Sequence, residues 1–186
     1  NPYSDTIVPK ISDAFVWDQK ETGRKLIYGE NTWNEAKAWV SDGNSFALMG
    51  DGTNAFIYKF YVNNLEAKNC YRISSSVATD VLSADFYAFS STRSVLFYVK
   101  NNTLYAYNYD IGNERVDMIP LETTDEITML KFDLTMEPMK DALYIATYSA
   151  IEGGSLRKYY VGNNPDKVEL KSDPKAVWKG LTKVKN

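Results

Sequence analysis

Three short apolar runs recur along this chain at near-constant spacing, and each is followed by the same kind of turn. Ser45-Phe46-Ala47-Leu48-Met49, Ser94-Val95-Leu96-Phe97-Tyr98 and Asp141-Ala142-Leu143-Tyr144-Ile145 begin about 50 residues apart. The dipeptides Asp51-Gly52, Asn101-Asn102 and Gly153-Gly154 follow them, and such pairs favour the positive φ that tight hairpins need. Beyond each turn comes a Tyr-rich strand: Ala55-Phe56-Ile57-Tyr58, Leu104-Tyr105-Ala106-Tyr107 and Leu156-Arg157-Lys158-Tyr159. A second cluster of Gly and Asn then precedes a third strand, over Asn69 to Ser74, Arg115 to Leu121 and Lys167 to Lys171.

A fourth kind of strand links the units. Phe86 to Phe89 and Ile127 to Phe132 lead into the second and third hairpins, and Leu181-Thr182-Lys183-Val184 repeats the position at the end. The pattern predicts an all-β chain of four-stranded antiparallel repeats, with boundaries at 41–83, 84–125 and 126–179 and a closing strand over 180–186. Residues 1–40 form an irregular lead-in with a hairpin of Ala14–Trp17 against Lys25–Tyr28. Within the lead-in, Thr32-Trp33-Asn34-Glu35 matches a capping box, and Trp33, Ala36 and Val40 sit at helical spacing, which predicts a short helix.

The first strands are apolar at consecutive positions, as burial on both faces requires. That favours a propeller-like array within a single domain, in which each sheet is covered by its neighbours, over a β-sandwich with one solvated face per sheet. The early hairpin and the closing strand together would complete a blade, making about four blades if the ring closes.

The strands and turns resemble a known family. Phe86-Tyr87-Ala88-Phe89, Leu96-Phe97-Tyr98, Leu104-Tyr105-Ala106-Tyr107, Ile127-Thr128-Met129-Leu130-Lys131-Phe132, Ala146-Thr147-Tyr148 and Gly153-Gly154-Ser155-Leu156 are similar to the C-terminal region of PKD-like family surface lipoproteins of Gram-negative gut anaerobes. The resemblance covers about residues 41–186 and its motifs are structural. It implies export to the cell surface or the outer membrane and periplasm, and a place in nutrient capture, often of glycans. The lipidation cysteine and the upstream PKD-like repeats of that family are missing here, which implies a fragment whose membrane attachment lies outside it. Asp5-Thr6-Ile7 is similar to the O-glycosylation signal of such organisms.

Chemistry narrows the functions further. The chain has no histidine, which excludes Ser-His-Asp and Cys-His catalysis and His-ligated zinc. Cys70 is its only cysteine, so there is no internal disulfide, and its strand-like flanks read as a buried small hydrophobe. Asp51-Gly52-Thr53-Asn54 has too few carboxylates for a calcium loop. No phosphate-binding Gly-rich loop is present, so neither a metal nor a cofactor is expected. A net charge of −3 provides no broad basic surface for nucleic acid. Asp125-Glu126, the only adjacent acidic pair, reads as a solvated turn, and Asp42, Asp51 and Asp110 read as turn residues.

Aromatic side chains are the remaining resource, with 14 Tyr, 8 Phe and 4 Trp. Flat rings with a polar handle suit sugar stacking and protein interfaces. Tyr105, Tyr107 and Tyr109 alternate along one strand and read as packing residues, as does Trp178. Trp17, Trp33 and Trp39 lie among polar neighbours in the least regular segment, where binding residues concentrate, and are the candidate ligand contacts. The expected function is an exported, non-enzymatic binding or scaffold module for a glycan or a surface partner protein, with no catalytic residues. A carboxylate-dependent glycoside hydrolase or lyase and a structural spacer are the alternatives.

Overall fold

The computed structural model describes residues 15–16, 25–26, 35–41, 44–50, 55–60, 67–90, 92–110, 112–134 and 141–183. The chain divides into two compact units, Asn1–Ser83 and Ala84–Asn186. Both are built from antiparallel β-sheets.

In the first unit, β1 (Phe15–Val16) pairs with β2 (Lys25–Leu26), within the hairpin expected at that place. A four-stranded meander follows: β3 (Glu35–Ser41), β4 (Asn44–Gly50), β5 (Ala55–Phe60) and β6 (Ala67–Ile73), each strand bonded to the next. Phe46, Leu48, Ile57 and Tyr58 are fully or almost fully buried. The short helix predicted around Trp33 to Val40 gives way to a strand from Glu35 onward. Every residue of β3 pairs with one of β4, from Glu35 opposite Gly50 to Ser41 opposite Asn44. A seven-residue ladder outweighs a helical spacing too short to nucleate stably on its own.

The unit ends in α1 (Ser75–Leu82), an element the strand pattern does not predict. Its start is marked by Ser74, whose backbone is extended and whose carbonyl accepts the amides of Val77 and Ala78. Its end is closed by Ser83, whose amide and hydroxyl both donate to the carbonyl of Thr79. Ala78 and Val81, three apart and so on one face, are buried.

The second unit contains two further meanders. One comprises β7 (Phe86–Phe89), β8 (Val95–Lys100), β9 (Thr103–Asn108) and β10 (Arg115–Ile119); the other comprises β11 (Glu126–Leu134), β12 (Asp141–Ser149), β13 (Gly153–Val161) and β14 (Leu170–Leu181). Asn101 and Asn102, at φ 50° and 56°, turn β8 into β9 with both central residues left-handed, as the dipeptide predicts. Gly153, at φ 76°, closes the β12–β13 turn, and the Ser149 hydroxyl accepts the amides of Ile151 and Glu152 there.

The two sheets of this unit share one core. Val95, Phe97, Val99, Leu104 and Ala106 pack against Leu130, Phe132, Leu143, Ile145 and Tyr159, and the rings of Phe97 and Phe132 stack at 6.4 Å. All five residues from Val95 to Val99 are buried, so β8 is covered on both faces, which is why it is apolar without alternation. Leu181 is the last residue of β14 and does not open a separate closing strand. Thr182 and Lys183 are in no strand, and 184–186 lie outside the described residues. Among the described residues no helix is long and apolar enough to cross a membrane.

Candidate functional site

The outermost strand of the last sheet is irregular, and the irregularity opens a cleft. Val177 pairs with Arg157 and Ser172 with Tyr159, so a single residue of β13, Lys158, stands opposite four of β14, Asp173 to Ala176. Pro174 lies in this bulge, where it has no amide to give to the ladder. Asp173 holds the bulge closed: one carboxylate oxygen accepts the amide of Lys175 at 3.0 Å and the other accepts the Tyr160 hydroxyl at 3.2 Å. The cleft beside it has a volume of about 480 Å³ and is lined by Tyr160, Asn163, Lys171, Asp173, Pro174 and Lys175, among others.

Lys158 completes the local electrostatics. Its ammonium lies 4.9 Å from the centre of the Tyr160 ring and 6.0 Å from that of Tyr144. The side-chain hydrogen bond with Tyr160 raises its pKa above the ordinary lysine value; partial desolvation opposes the rise, and Tyr144 and Asp173 add to it. The group is therefore a cation throughout the physiological range.

A second cleft, of about 390 Å³, lies at one end of the unit between the β7–β8, β9–β10 and β13–β14 loops. Arg93 ties two of these loops together by donating to the carbonyls of Gly162 at 2.6 Å and Asn164 at 3.2 Å. The fully buried Ser90 hydroxyl accepts the amides of Thr92 and Arg93. Asn108 accepts the amide of Asp110, so in this turn the capping side chain is that of Asn108, with Asp110 giving its backbone. A third cleft, of about 380 Å³, includes Met118, Ile119, Val168 and Leu170 from the outer strands β10 and β14 and their flanks.

Acidic chemistry is spread thinly over these places. Among the described residues, Asp173, Asp110 and Glu169 are the only carboxylates lining the first, second and third clefts respectively. Glu126 is exposed and paired with Lys183 at 2.9 Å. Glu122 accepts the Tyr159 hydroxyl and stands 3.6 Å from the buried Arg157 guanidinium, which also donates to Thr147. Burial, followed by the hydrogen bond to Glu122 and its charge, pushes the Tyr159 hydroxyl well above the ordinary tyrosine value. The hydroxyl thus stays a neutral donor, and the network joins the β10–β11 link to the core. No three metal-ligating side chains converge among the described residues.

The sequence offers Trp17, Trp33 and Trp39 as candidate ligand contacts. Trp17 and Trp33 lie outside the described residues, and Trp39 is in β3, in register with Phe46. Trp178, expected to pack, is half-exposed in β14 in register with Leu156. The cleft residues Tyr160, Asp173 and Lys175 were announced only by Asp173-Pro174, a breaker pair inside an otherwise strand-like stretch. No model of a known protein family matches this chain, and no curated protein matches it.

Proposed function

We propose that this chain is a non-enzymatic binding or scaffold module, built of propeller-like sheets, that holds a glycan in the cleft beside Tyr160. The observation that carries the reading is the β14 bulge, which places a tyrosine ring, a fixed carboxylate and several ammonium groups around one opening. Aromatic faces bind the apolar face of a sugar ring, and the surrounding polar groups bind its hydroxyls. The propeller-like arrangement is supported by successive four-stranded meanders and by the packing of β7 beside β11, the first strands of adjacent sheets. Export and attachment to the cell surface as part of a PKD-like lipoprotein rest on the likeness in strand and turn motifs described above. A carboxylate-dependent glycoside hydrolase would need two carboxylates across one substrate bond, and among the described residues lining the Tyr160 cleft Asp173 is the one carboxylate.

Affinity electrophoresis against a panel of polysaccharides tests this function. The chain is expected to be retarded by at least one of them, and Tyr160→Ala to weaken that binding about tenfold, the equivalent of about 1.4 kcal/mol. Migration unaffected by every polysaccharide would overturn the glycan reading and leave a protein partner or a spacer role.

A further inference from the structure

Resting on the binding reading above, we infer that the Tyr160 cleft selects acidic saccharides, whose rings carry a carboxylate or sulfate, over neutral ones. Charge within the cleft is opposite to that of the chain. The protein as a whole carries −3, whereas Lys171 and Lys175 line the opening against the one carboxylate of Asp173, and Lys158, outside the lining, stands over the Tyr160 ring.

The placement of these groups follows from the bulge. Lys171 is in register with Tyr160 before the bulge, and Lys175 lies within it, so the two flank Asp173-Pro174. Both are exposed, and none of the three lysines forms a salt bridge among the described residues. The one negative group is already engaged, because Asp173 uses one oxygen on the Tyr160 hydroxyl and the other on the Lys175 amide. Asp173 keeps its charge, but its oxygens are fixed in the loop, so an incoming anion meets ammonium groups in excess over a single carboxylate. The Ser172 side of the bulge and Asn163 border the same opening and supply polar groups for sugar hydroxyls. The nearby Glu169 is paired with Lys167 at 3.8 Å and lines the third cleft instead.

A single exposed ion pair is weak, so discrimination arises from several lysines meeting charges that repeat along a polymer. Such attraction is screened by salt, the Debye length being about 8 Å at physiological ionic strength.

Affinity electrophoresis of the whole chain in gels containing polygalacturonate or alginate, and in parallel gels containing pullulan or hydroxyethylcellulose, tests the inference. Retardation is expected in the acidic gels and to fall steeply with added salt. The double variant Lys171→Gln/Lys175→Gln is expected to bind polygalacturonate about tenfold more weakly. The double variant Lys100→Gln/Lys179→Gln removes the same charge elsewhere on the second unit and is expected to bind as the parent does. Equal weakening by both double variants would overturn the inference by tracing binding to diffuse charge. Retention by neutral polymers alone, indifferent to Lys171 and Lys175, would overturn the acidic preference while leaving the glycan reading standing. Retention by no polymer would remove both.

Discussion

The two sheets of the second unit have the same strand order and share a core, yet their outer strands are unlike. β10 has five residues and exposes Val116 and Met118 on one face, in unbroken register with β9. β14 has twelve residues, and its pairing with β13 shifts twice. Extra residues in an inner strand would disturb two ladders and a packed face, whereas in an outer strand they disturb one ladder and push into solvent. Inner strands thus do the packing, and the outer strand of the last sheet is where a cleft could be built.

The largest test of that contrast is at the inner strands. Phe97→Ala empties a fully buried site against Phe132 and is expected to cost about 3–5 kcal/mol in urea unfolding. A loss below about 1 kcal/mol would mean that the two sheets do not depend on their common core. A smaller effect is expected where the outer strand closes on β13. An alanine Cβ at Gly154 would lie 2.6 Å from the carbonyl oxygen of Thr182 and 2.8 Å from that of Leu181, both backbone atoms. Gly154→Ala should therefore destabilise by about 1–3 kcal/mol, with amide exchange rising first along β14; an unchanged melting temperature would show that the end of β14 yields freely.

The smallest effect concerns pH. The Tyr159 hydroxyl has its pKa raised in the folded chain above the ordinary value of 10.0. The stability linked to this group is present in full below pH 10 and is lost as pH rises toward the folded value, because the unfolded tyrosine ionises first. Tyr159→Phe removes that contribution, so unfolding free energies measured from pH 9 to 11.5 should fall less steeply than for the parent. Equal slopes would mean that the Tyr159 hydroxyl, buried and bonded to Glu122, does not link the core to alkaline stability.

Much of the strand order was legible in particular residues. Val95 to Val99 announced a strand covered on both sides, and Asn101-Asn102 announced the tight turn after it, because turn chemistry is set by the local backbone. Two elements were read less well for the same physical reason. Glu35 to Ser41 has helical spacing but pairs with β4, since a partner strand supplies hydrogen bonds that a single isolated turn cannot. Ser75 to Leu82 lacks a side-chain cap and has no acidic first turn, leaving only the Ala78 and Val81 spacing to mark a helix that gains its stability by burial.

The recurring meander is therefore a property of the sequence alone: short apolar runs and the local sterics of the turn residues between them specify where strands run and where they turn. The cleft is a product of tertiary register. Lys158, Tyr160, Asp173 and Lys175 come together because β14 pairs with β13 on both sides of its bulge. Which residue of β13 faces that bulge depends on the ladder partner, and the ladder partner is chosen by folding as a whole.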